Sequence, residues 1–211
     1  SLKRLYLPIW GVAAANAIDL ITRASGTFNG GVTHGAGYVQ GNGTTGYFDF
    51  GVSPSGAGTT QTSVSIFALI NELVALSGSY TALIGSEQVA TLQLAGTNAD
   101  ELFTGNQYSA QSGATLTTGI YVGNLFGGTM YINKRTSGGF ATPASTVTAP
   151  AIGPDTANLI SMARNFGGAS LHTQHKLGVY GIGLGTSQAE SESFTLHLKT
   201  LWQNCTGLAL P

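Results

Sequence analysis

Apolar and polar positions alternate in short runs along most of this 211-residue chain. From Gly35 onward, Gly, Asn or Pro breaks the runs about every 8–12 residues, the rhythm of an all-β sandwich or barrel. The runs predict strands over residues 37–40, 46–50, 63–70, 80–86, 89–94, 107–111, 115–122, 129–134, 158–163 and 176–184. The segment 63–70 sets Val64, Ile66, Ala68 and Ile70 on one face and Ser65, Phe67 and Leu69 on the other. A sheet buried on both sides is therefore expected there. Residues 136–155 are rich in Gly, Thr and Pro and read as a hairpin followed by a long surface loop. Near the start, Leu5, Leu7 and Ile9 alternate as a strand or an extended arm would. The Ala-rich stretch that follows fits either one or two helical turns or an extended segment.

The period changes once, close to the C-terminus. Ser187 and Glu190 stand three apart, as in a capping box. Phe194, Leu198, Leu201 and Cys205 follow at helical spacing and form one apolar stripe. A helix over 188–204 is predicted, with Asn204 and Gly207 as its stop. On that stripe Cys205 reads as a buried core thiol rather than a nucleophile.

Gly41-Asn42-Gly43-Thr44-Thr45-Gly46 spells G-x-G-x-x-G. A pyrophosphate cradle needs a helix N-terminus directly after those glycines. Here Tyr47-Phe48-Asp49-Phe50-Gly51 follows, which is aromatic and β-favouring. The six residues therefore read as a turn leading into a strand.

Composition narrows the function classes. Only 8% of residues are charged, against roughly 25% in an average soluble protein. The net charge is −1 and the eight basic residues are scattered, which argues against a nucleic-acid partner. No apolar run reaches the length of a membrane-spanning helix, so no membrane insertion is expected. One cysteine excludes an intramolecular disulfide. The first ten residues lack a long apolar core and contain Pro8, so they read as mature chain.

Several words of the sequence are more specific than its rhythm. Trp10-Gly11 precedes Ala14-Ala15-Asn16-Ala17-Ile18-Asp19-Leu20. Phe28-Asn29-Gly30-Gly31-Val32-Thr33-His34 leads into Asn42-Gly43-Thr44-Thr45-Gly46-Tyr47. Ile160-Ser161-Met162-Ala163-Arg164-Asn165 and the run from Val179-Tyr180-Gly181 to Ala189-Glu190 come later. Together they resemble the concanavalin A-like, laminin-G-like jelly-roll domains of tailed-bacteriophage virion and tail proteins. The resemblance implies a two-sheet antiparallel jelly-roll sandwich with one C-terminal amphipathic helix. The expected organisation is an N-terminal docking arm over 1–23 and a single domain over 24–211. It also implies a non-enzymatic virion structural protein on the particle surface, a capsid decoration or a head- or tail-fibre subunit. The implied partners are other virion proteins and copies of itself, and the implied location is the virion, assembled in the host cytoplasm. Leu2, Leu5, Tyr6, Leu7, Ile9 and Trp10 are the candidate assembly arm, because an arm that adds a strand to a neighbour's sheet gains backbone hydrogen bonds.

The alternatives are a carbohydrate-binding adhesin for the host surface and a glycan hydrolase. Retaining glycanases need two carboxylates about 5 Å apart. The nine acids, Asp19, Asp49, Glu72, Glu87, Asp100, Asp155, Glu101, Glu190 and Glu192, show no such strand pattern, so no catalytic residue is assigned. His172 and His175 invite a zinc reading but lie in a predicted loop, without a second close ligand pair. No cofactor is expected. Calcium is a lesser possibility, because no cluster of carboxylates supplies its oxygen ligands. Among the aromatics, loop-borne Tyr108 and Phe140 are the candidate glycan contacts.

Overall fold

The computed structural model describes residues 1–74, 81–86, 91–94, 101–105, 108–111, 117–141, 147–148, 156–165 and 167–211, with the backbone alone for 91–94, 101–105 and 108–111. The chain starts with β1 (Leu2–Tyr6), α1 (Ala13–Asn16), β2 (Thr27–Asn29), β3 (Val32–Gly35), β4 (Tyr38–Gly41) and β5 (Tyr47–Asp49). It continues with β6 (Val64–Glu72), β7 (Thr81–Gly85), β8 (Thr91–Leu94), β9 (Glu101–Gly105) and β10 (Tyr108–Gln111). Then come β11 (Gly119–Phe126), β12 (Thr129–Thr136), β13 (Gly139–Ala141) and β14 (Val147–Thr148). The last part holds β15 (Ile160–Ser161), β16 (Arg164–Asn165), β17 (Ala169–Ser170), β18 (Lys176–Gly183) and α2 (Gln188–Thr206).

The strands build two antiparallel sheets, so the fold is the expected all-β jelly-roll sandwich. One sheet runs β13-β12-β11-β6-β18-β4-β3, and the other runs β10-β9-β8-β7-β15-β5-β2. The two faces of β6 separate as the alternation predicts. Val64, Ile66, Ala68 and Ile70 join the core between the sheets, with Tyr6, Phe48, Tyr121 and Tyr180. Phe67 and Leu69 join a second core under α2, with Leu198 and Trp202. The larger sheet is thus covered on both faces, by the other sheet and by the helix.

Residues 2–6 of the docking arm expected over 1–23 are laid into this chain's own sheet. β1 pairs antiparallel with β18, with Leu5 opposite Gly181 and Tyr6 opposite Tyr180. The alternation of β1 feeds both cores: Tyr6 faces the inter-sheet side, while Leu5 and Leu7 face the helix side. The physical reason is an open edge. β4 covers β18 only at Lys176 and Leu177, so the later half of that edge needs another strand. Gly181 makes the approach possible, since a Cβ there would sit 2.2 Å from the Arg4 carbonyl.

The G-x-G-x-x-G segment is a turn that carries the chain from β4 in one sheet to β5 in the other. Its phosphate-cradling amides are already used. The Asn42 Oδ1 accepts from Thr44 N at 3.0 Å, Thr45 N at 2.8 Å and Gly46 N at 2.8 Å. Gly43 takes a left-handed φ of 79° at the tip.

The helix opens on the predicted capping box: the Ser187 side chain accepts from Glu190 N, and the Glu190 carboxylate accepts from Ser187 N at 2.8 Å. It closes on left-handed Gly207. Ser187→Ala is expected to cost about 1 kcal/mol, which a shift in the urea midpoint reads directly. The predicted stripe holds in part: Leu198 lies in the core under α2 and Phe194 and Leu201 pack against it, but Cys205 does not. Ser191, Thr195, Leu198 and Trp202 are buried, Phe194 and Leu201 are half-buried, and Cys205 is exposed. Ser191 and Thr195 meet polar partners on the sheet. Asn124 Nδ2 donates to Ser191 Oγ at 3.3 Å, and buried Arg135 donates from Nε to Thr195 Oγ1 at 3.0 Å and from Nη2 to the Glu192 carbonyl at 2.9 Å.

Candidate functional site

β6 and β18 are neighbours, and their pairing sets Lys176 opposite Glu72. Lys176 Nζ donates to Glu72 Oε2 at 2.7 Å and lies 4.8 Å from the centre of the Tyr38 ring. The Glu72 hydrogen bond raises the Lys176 pKa, so the ammonium is held charged. Next to this pair, Asn71 Nδ2 donates to the Gly37 carbonyl at 2.7 Å, and Trp202 Nε1 donates to the same oxygen at 3.4 Å. The Asn71 Oδ1 is buried and has no partner. These side chains line an open cavity of about 310 Å³ closed on one side by Leu208, Ala209 and Pro211. It therefore offers a carboxylate, an ammonium and a phenol, the mixture of donors and acceptors that a polyol can satisfy.

The residues singled out in the sequence lie elsewhere. Phe140 is half-buried 5.4 Å below the Arg135 guanidinium and lines neither this cavity nor the one beside Ser65 described below. Tyr108 stands on β10, and its side chain lies outside the described residues, as do Tyr80, Glu87, Asp100, Asp155 and the side chain of Glu101. Of the arm residues, Leu5, Tyr6 and Leu7 are buried, Leu2 and Ile9 are half-buried, and Trp10 is 49% exposed. Trp10 belongs to an exposed apolar stretch with Val12, Ile18, Leu20 and Ile21. Asn16 pins that stretch: its Oδ1 accepts from Trp10 N at 3.2 Å, and its Nδ2 meets His34 Nδ1 at 3.2 Å.

The two histidines of the zinc reading serve different backbone atoms. His175 is fully buried, and its Nδ1 accepts from Val74 N at 3.1 Å. His172 Nδ1 lies 3.2 Å from the Gly46 carbonyl. Among the described residues no three His, Cys, Asp or Glu side chains gather as a metal site. Four of the five described carboxylate side chains answer separate partners. Asp19 holds Arg4 at 3.5 Å, Asp49 holds Asn158 at 3.1 Å, Glu72 holds Lys176, and Glu190 caps α2. No helix among the described residues is long and apolar enough to cross a membrane.

The sequence missed the cavity because Asn71 and Lys176 are far apart in the chain and neither belongs to a motif. The one available signal is polar Asn71-Glu72 at the end of an otherwise apolar strand pattern.

No family model matches the chain, and no curated protein matches it. Solved structures do match. A Trypanosoma rangeli sialidase in complex with sialic acid superposes with a TM-score of 0.63 at 12% identity, over 93% of this chain and 32% of that one. The receptor binding domain of botulinum neurotoxin mosaic serotype C/D gives 0.57 at 12% identity, over 93% of this chain and 51% of that one. The binding domain of botulinum neurotoxin serotype D gives 0.54 at 9% identity, over 96% and 52%. The chain thus spans between a third and a half of the structures it matches. At these identities the likeness is one of fold, the two-sheet sandwich.

Proposed function

We propose that this chain is a non-enzymatic binding module carried on the surface of a tailed-phage particle, and that it takes a host-surface glycan in the Tyr38 cavity. The observation that carries this is the Glu72–Lys176 pair beside the Tyr38 ring at the rim of an open cavity. A sugar hydroxyl can donate to the Glu72 carboxylate and accept from the Lys176 ammonium. A receptor-binding domain among the similar structures supports a binding role for the sandwich. The expectation of a role without hydrolysis rests on the sequence, where no strand pattern pairs two of the nine acids. The phage location rests on the sequence resemblance. This reading sets the adhesin ahead of the purely structural protein.

The test is a glycan array probed with the purified chain, followed by titration of the best saccharide. Binding is expected to fall at least tenfold in Glu72→Gln and Lys176→Met, both at the rim, with the melting temperature nearly unchanged. An array without a hit, or a hit that both variants bind as tightly as the parent, sinks the glycan cavity.

The exposed apolar stretch from Trp10 to Ile21 favours a second reading, attachment to a neighbouring virion protein through that surface. Trp10→Ser with Ile21→Ser is then expected to prevent incorporation into particles while leaving glycan binding intact. Normal incorporation of the double variant would remove this attachment surface.

A further inference from the structure

The opposite end of α2 carries a second cavity, of about 230 Å³, between the first residues of β1, the end of β18 and the first turns of the helix. Leu2, Phe67, Leu184 and Phe194 form apolar walls, and Ser65 and Thr186 bring hydroxyls to it. Phe67 and Phe194 meet edge to face, with ring centres 5.0 Å apart. Ser65 is only 2% exposed, and its Oγ has no hydrogen-bond partner.

The neighbouring polar side chains on the sheet and the helix do not supply that partner, because they are engaged with one another. Asn124, the register neighbour of Ser65 on β11, accepts from Thr186 Oγ1 at 3.0 Å and donates to Ser191. On the other side the neighbour is Gly183, which has no side chain to offer. A buried hydroxyl left unpaired is an exception that calls for an explanation. Here it is a buried hydroxyl without a partner among apolar walls, and exposed Ser1 also lines the cavity.

We propose that this cavity is a binding site for one hydroxylated aromatic ring, with the ring against the walls formed by Phe67, Phe194 and Leu184 and its hydroxyl on Ser65 Oγ. Three features select the class. The volume exceeds the roughly 150 Å³ cavity known to admit benzene. Two phenyl walls favour an aromatic guest through edge and face contacts. One serine hydroxyl, both donor and acceptor, matches one phenolic hydroxyl. The ring arrives either as a free small phenol or as a tyrosine side chain, and the chemistry is the same. The proposal is independent of the glycan cavity.

The experiment is titration of the full chain, followed by NMR or calorimetry, with p-cresol for the free ring, N-acetyltyrosinamide for the side chain and toluene as the ring without a hydroxyl. Saturable binding of p-cresol or N-acetyltyrosinamide is expected, weakened about tenfold by Ser65→Ala, while toluene binds parent and variant alike. Ser65→Ala removes an unpaired buried hydroxyl, so it is expected to melt at the same temperature or higher, which separates lost binding from lost fold. Phe194→Ala is expected to weaken all guests that bind. Absence of saturable binding by both phenols overturns the proposal. So does a preference for p-cresol over toluene that survives Ser65→Ala.

Discussion

Asp19→Ala is expected to lower the free energy of unfolding by about 3–5 kcal/mol, the range for breaking a buried ion pair from one side. Asp19 is fully buried and works as a hub. Its Oδ1 accepts from Leu5 N at 2.9 Å and Ile21 N at 3.0 Å. Its Oδ2 accepts from Thr22 N at 3.2 Å and from the Thr22 hydroxyl, and lies 3.5 Å from Arg4 Nε. Alanine would strand the buried Leu5 amide and leave the Arg4 guanidinium, whose side chain is 17% exposed, without its counter-charge. The damage should be directional, because Asp19 ties β1 to the turn after α1 and so helps hold Leu5, Tyr6 and Leu7 in two cores. Hydrogen exchange in the variant should accelerate first at β1 and at its partner β18. Asp19→Asn keeps the shape but sets an amide donor against backbone donors, so an intermediate loss is expected. A urea midpoint giving less than 1 kcal/mol for the alanine variant would mean that Asp19 is not the anchor of β1.

That hub also shows where sequence reading stops. The alternation of Leu5, Leu7 and Ile9 is visible in the letters, but whether such a segment zips to its own sheet or to a neighbour's is a tertiary choice. It is decided by an edge of β18 that β4 covers only in part and by the bare backbone of Gly181. The two faces of β6 were legible because period 2 alone assigns them. The capping box was legible because it involves only a four-residue neighbourhood. The face of α2 was legible only in part, because Asn124 and Arg135 draw Ser191 and Thr195 inward and Cys205 is turned out. A stripe read from apolar letters finds Phe194, Leu198 and Leu201 but misses the polar bonds that also seat the helix. The candidate cavity was illegible for the same reason: the Glu72–Lys176 pairing exists only once β6 and β18 are registered.

Acid is expected to destabilise the fold well above the pH at which carboxylates protonate, and His175 is the main cause. Burial pushes its pKa down to about 4, and its Nδ1 must stay unprotonated to accept the Val74 amide. The unfolded chain carries an ordinary histidine, near 6.5. Between those values the unfolded state binds the proton and the folded state does not, so stability falls as the pH falls. It is flat above about 6.5, declines by about 1.4 kcal/mol per pH unit below it, and levels off below about 4, a total of about 3 kcal/mol. His34, also lowered by burial, adds to the decline with the same sign. Glu190, lowered by its bonds to Ser187, acts later, since its contribution is present above its unfolded pKa and is lost as the pH drops through its folded value. Urea unfolding of His175→Asn at several pH values isolates the effect. The variant should be less stable than the parent at pH 7, because the replacement leaves space in a closed site, and its stability should fall much less steeply between pH 6.5 and 4. A variant with the parent's slope would place the acid sensitivity in other groups and leave the Val74–His175 bond without a part in it.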